Sequence, residues 1–97
     1  MSKVIEGNPW VWVGVLNLGG KEQFLGQRNK KEDVPFIPAF LEKEEAIKCL
    51  KALAKDEGME YEVQAVQYEQ LARDADKNGF MIFVLNGVGE ILERIAP

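Results

Sequence analysis

Six consecutive apolar residues, Phe80-Met81-Ile82-Phe83-Val84-Leu85, lie between Asn78-Gly79 and Asn86-Gly87. A run this short, closed at both ends by turn residues, predicts a strand buried on both faces, because a strand with one face in water would alternate apolar and polar residues. Trp10–Leu18 makes the same demand. Successive strand residues point to opposite faces, which puts Val11, Val13 and Val15 on one side and Trp10, Trp12, Leu16 and Leu18 on the other. Both sides are apolar, so the chain must supply cover for two faces of a sheet.

The segments around these strands follow from periodicity and turn chemistry. Residues 1–9 form a short leader that ends at Asn8-Pro9, where proline restricts its own φ and that of the residue before it. Gly19-Gly20 predicts a hairpin turn, with a second arm at 21–28 in which Gly26 marks a bulge or a close backbone approach. Phe36–Phe40 reads as a strand. Pro38, lacking an N–H, puts that strand at an edge or makes it irregular. Ala46, Ile47, Leu50, Leu53 and Ala54 form one stripe of a helix over about 42–57, with Glu42, Glu44 and Glu45 at its positive end and Gly58 as its cap. Tyr61–Val66 alternates as a strand. Tyr68, Leu71, Ala72 and Ala75 mark a second helix over 68–77, closed by Asn78-Gly79. Residues 90–95 fit either a returning strand or a helix, and the Asn86-Gly87 turn favours the strand.

The expected fold is therefore one α+β domain over residues 1–97, a two-layer α/β sandwich. Its N-terminal β-hairpin precedes β-α-β-α-β and a terminal strand in a mixed sheet. Right-handed crossovers put both helices on one face if the strand order advances in one direction. The other face then stays open. Trp10, Trp12, Phe80, Ile82 and Val84 are the candidate residues of that open face, which is too apolar to be left in water.

The residues that are missing narrow the chemistry. The sequence has no histidine and no threonine, its single serine is Ser2 and its single cysteine is Cys49. Serine, threonine and cysteine triads and His/Cys zinc sites cannot be built from that set. A non-enzymatic protein without cofactor or metal is the expectation. A net charge of −4 opposes general binding to nucleic acid. No apolar run reaches the roughly 18 residues of a membrane span, and Met1–Glu6 lacks the apolar core of a signal peptide. Together with the lone cysteine, this predicts a cytoplasmic protein.

The remaining motifs are weak. Gly14–Lys21 has the wrong glycine–lysine spacing for a phosphate loop and lies between strands. Cys49 sits beside the apolar stripe of the first helix as a structural thiol. Glu42, Glu44 and Glu45, like Asp74 and Asp76, read as solvated helix faces. Arg28, Lys30 and Lys31 form a basic cluster that suits an anion, although Glu32 and Asp33 follow at once.

Phe36-Ile-Pro-Ala-Phe40, the acidic helix start, the stripe Ala46–Leu53 and the strand Phe80–Leu85 running into Asn86-Gly87 resemble the N-terminal module of the SseB family. The resemblance covers about residues 34–90 and implies a small α/β module with no catalytic residues to transfer. The turn lacks the proline of the family pattern. The expected role is a protein–protein interaction or regulatory module, dimerising with itself through the open sheet face. The first alternative is a small-ligand sensor that holds an anion at Arg28 and the nearby lysines, and the second is an enzyme that uses carboxylates or Cys49.

Overall fold

The computed structural model describes residues 5–54 and 60–96. Among them are β1 (Trp10–Leu18), β2 (Lys21–Phe24), β3 (Gln27–Asn29), β4 (Val34–Ala39), α1 (Lys43–Ala54), β5 (Tyr61–Gln67), α2 (Tyr68–Asn78), β6 (Met81–Leu85) and β7 (Ile91–Ile95). The α+β class, the two helices and the order of elements agree with the sequence reading, and residues 91–95 are a strand. The expected Gly58 cap lies outside the described residues. At the end of α2, Gly79 takes the left-handed conformation at φ 75° and its N–H returns to Ala75 and Asp76.

Local chemistry fixes the hairpin and then ends it. Gly19 and Gly20 have φ of 62° and 88°, the positive pair that a type I′ turn requires. Leu18 thereby faces Lys21, and Val15 faces Phe24. Leu25 donates one more hydrogen bond, to the carbonyl of Gly14 at 2.8 Å. The chain then leaves β1. Gly26 passes so near Phe80 that a Cβ there would lie 3.2 Å from the ring. The expected single arm over 21–28 is thus two strands, with β3 pairing to β4.

The strands form a β2-β1-β5 sheet and a β3-β4-β6-β7 sheet. Trp12 and Phe40 join them by exchanging both backbone hydrogen bonds, at 2.8 and 2.9 Å. Across this join the strands run β5-β1-β4-β6-β7. β4 and β6 are parallel, and β1 is antiparallel to both β5 and Phe40. Alternation turns the missing N–H of Pro38 to the same flank as the N–H of Phe40. On that flank β3 covers residues 34–36 and β1 takes over at Phe40. The proline occupies the seam between two partners, which makes β4 irregular there without placing it at an edge.

This strand order also moves one helix. α1 carries the chain from β4 outward to β5, and α2 carries it back across the sheet to β6. Right-handed crossovers that run in opposite directions place their helices on opposite faces. Leu71 and Ala75 of α2 therefore pack with Val11, Val13, Val15, Ile37, Ile82 and Val84. Ala46, Cys49 and Leu50 of α1 pack with Leu16, Leu25, Phe36, Phe40, Phe83 and Leu85. The expectation of both helices on one face fails because the strand order reverses. The two faces that β1 and β6 needed covered are each covered by one helix.

Candidate functional site

The five residues expected on one open face are divided by this arrangement. Ile82 and Val84 are 2% and 1% exposed and belong to the layer under α2, where Phe80 is half-buried against them. Trp12 lies on the α1 side, half-buried, with the Lys43 ammonium 5.7 Å from its ring centroid. Trp10 shares the face of Trp12 but stands 62% exposed. No open sheet face joins the tryptophans to Ile82 and Val84. What remains outside is the indole of Trp10 at the start of β1, flanked by Trp12. One turn beyond Lys43 on α1, Ile47 is also exposed.

The basic cluster does not converge either. The Arg28 guanidinium donates to Asp33 Oδ1 at 2.9 Å and to the Asp33 carbonyl at 3.2 Å. Asn29 Oδ1 accepts the N–H groups of Lys31 and Glu32, shaping the turn. Lys30 and Lys31 point into solvent, and Glu32 reaches Arg94 at 3.3 Å. Of the acidic residues that follow, Asp33 is taken up by Arg28 and Glu32 by Arg94.

A concave site lies elsewhere, on the α2 side of the β2-β1-β5 sheet. It is a groove of about 680 Å³ with a floor of Val15, Phe24 and Val66. Arg73 and Lys77, one helical turn apart on α2, line its wall with Asp74 between them, and Glu22 and Phe80 are further lining residues. Neither Arg73 nor Lys77 makes an ion pair with a described residue. The i and i+4 spacing of two basic residues is visible in the sequence, but that they border a cavity depends on β1 and β2.

Cys49 is buried, and desolvation pushes its thiol above its ordinary pKa. A thiolate is disfavoured there, as expected of a structural cysteine. Burial likewise raises Tyr61 and Tyr68, with the charge of Glu93 adding to the effect on Tyr68. Among the described residues no group of three or more His, Cys, Asp or Glu could hold a metal ion, and no helix is long and apolar enough to cross a membrane.

The sheet edges differ in how they are protected. β2 is four residues of mostly charged and polar character, Lys21-Glu22-Gln23-Phe24. β3 is three residues long and includes Arg28. β7 includes Glu93 and Arg94, and its pairing to β6 shifts register at Val84/Leu85. Short length, charge and bulges are the usual guards of an edge. β5 is seven residues, Tyr-Glu-Val-Gln-Ala-Val-Gln, pairs with β1 in one unbroken register and has Glu62 as its single charge. It has no second strand partner among the described residues.

In comparisons with protein-family models, curated proteins and solved structures, the chain matches none. Its function is therefore read from its own residues.

Proposed function

We propose that the protein acts by contact with other protein chains, as a non-catalytic interaction or regulatory module of the cytoplasm, and that its first partner is a second copy of itself. The exposed indole of Trp10, 62% in water beside the half-buried Trp12, carries this reading. Tryptophan is concentrated in interface cores, where its large apolar body is covered and its N–H finds an acceptor. The chain's limited catalytic vocabulary and net charge of −4 favour a protein partner over a substrate or a nucleic acid. Sedimentation velocity at tens of micromolar tests the reading: a dimer is expected, and a monomer across that range rejects self-association.

One observation favours a second reading, a site for a small anion in the groove of Arg73 and Lys77. A ligand that binds only the native state raises its stability by about 2.7 kcal/mol at a hundredfold excess over Kd. Thermal melts with inorganic phosphate or citrate should then show a higher Tm, and Arg73→Gln should remove the increase. An unchanged Tm with both anions speaks against anion binding.

A further inference from the structure

The outer edge of β5 is long, unbroken and complementary to itself. Backbone groups of alternate strand residues face opposite edges. Trp12 bonds Phe40, and the Gly14 carbonyl accepts from Leu25, so Trp12 and Gly14 face away from β5. Val11, Val13 and Val15 therefore face it, opposite Val66, Gln64 and Glu62. Within β5 this leaves the N–H and C=O groups of Tyr61, Val63 and Ala65 and the N–H of Gln67 turned outward, where no described strand meets them, while the Gln67 C=O, at the N-cap of α2, belongs to the helix start.

We propose that two copies of the chain join antiparallel along this edge, about a two-fold axis at Gln64, to form one continuous sheet. The proposal rests on the self-association reading above and names its surface. The axis at Gln64 is chosen by hydrogen bonding. It pairs Val63 with Ala65 of the second copy, whose outward groups are then all met, and sets the Gln67 N–H against the Tyr61 carbonyl. Side chains agree with the backbone. The one charged residue, Glu62, falls opposite Val66 and not opposite its own symmetry mate. Gln64 meets Gln64, two amides that can each donate and accept. β5 residues opposite β1 share its faces, so Tyr61, Val63, Ala65 and Gln67 lie on the face of the tryptophans. Tyr61 of one copy then sits beside Gln67 of the other, in the row that Trp10 begins. α2 contacts both β5 and β6, and α1 both β5 and β1, so the helices reach inward from the edge.

Two substitutions test the edge while sparing the β1 ladder. Ala65→Pro removes an N–H that faces outward and leaves the bonds from Gln64 and Val66 to β1 in place. Gln64→Lys sets two like charges opposite each other at the axis, and Gln64→Glu does the same with the other sign. Sedimentation velocity on the full chain should give a dimer for the parent and monomers for all three variants, each with the parent's far-UV circular dichroism. An equimolar mixture of the Gln64→Lys and Gln64→Glu variants should recover a one-to-one dimer. A parent that stays monomeric overturns both this edge and self-association. A parent dimer that all three variants keep overturns the edge alone and leaves self-association standing. Monomeric charge variants that fail to recombine overturn the axis at Gln64. If Ala65→Pro does not fold, the charge pair decides the matter by itself.

Discussion

Phe83→Ala should lower the stability of the native state by about 3–5 kcal/mol. Phe83 is 1% exposed at the middle of β6, and its ring stacks on Phe36 with centroids 4.4 Å apart and planes 13° from parallel. The Arg94 guanidinium, held by Glu32, lies 5.6 Å from its centroid. Truncation therefore opens a cavity under α1, removes the stacking partner of Phe36 and takes the platform from Arg94. A domain of this size has roughly 5–15 kcal/mol of stability in total. The loss should appear as a fall in Tm of more than about 12 °C, at the usual 4–8 °C for each kcal/mol. Phe83→Leu keeps most of the volume and should lose far less. If alanine and leucine melt together, Phe83 is not the centre of this layer.

Gly14→Val should also destabilise the native state, by a smaller amount and for the opposite reason. A Cβ at Gly14 would lie 3.0 and 3.1 Å from Leu25 Cδ2 and Cβ, and 3.4 Å from Leu50 Cδ1. The flexible end of Leu25 can turn aside, but its Cβ is fixed by the hydrogen bond from Leu25 to the Gly14 carbonyl. A branched side chain adds atoms between β1 and Leu50 of α1. Overpacking of this kind costs about 1–3 kcal/mol, and sometimes more. Urea unfolding should show a lower midpoint with an unchanged slope. Adding Leu25→Gly, which removes that Cβ, to Gly14→Val should restore part of the loss, because neighbours that compete for one space do not add. Full additivity would mean that the clash with Leu25 is not the cause.

The elements that sequence reveals best here are those in which each residue reports its own burial. Phe80–Leu85 is apolar throughout because both faces of β6 are covered, and the stripes of Leu50 and Leu71 show which side of each helix is inside. The order of the strands is not a property of any one residue. It is decided by the join of Trp12 to Phe40, two residues far apart in the chain, and that join sends α2 to the face expected to be open. The same limit applies to the division of the second hairpin arm at Leu25-Gly26, where Gly26 signals the close approach but not that the chain changes sheet there. Trp10 and Trp12 are alike in type and share a face. What separates them is position: Trp12 is bridged to Phe40 and lies under Lys43, while Trp10 is two residues nearer the end of the sheet. The groove beside Arg73 needs β1, β2, β5 and α2 together and has no sequence signature of its own.

Residues 8 and 9, ahead of β1, also complete the start of α2. Asn8 Oδ1 accepts the Glu69 N–H at 2.8 Å, and the Pro9 carbonyl accepts that of Tyr68 at 2.8 Å. These bonds take up two of the donors that a helix leaves without partners at its start. On the ribosome, the β1–β2 hairpin emerges long before β5 and α2 exist. Its middle strand, with both tryptophans, must wait for residues 61–69 before either its ladder or this cap can close. Contacts of such sequence separation slow folding and prolong the exposure of apolar surface. The apolar faces of β1 thus gain their full cover only once residues 61–69 have been made.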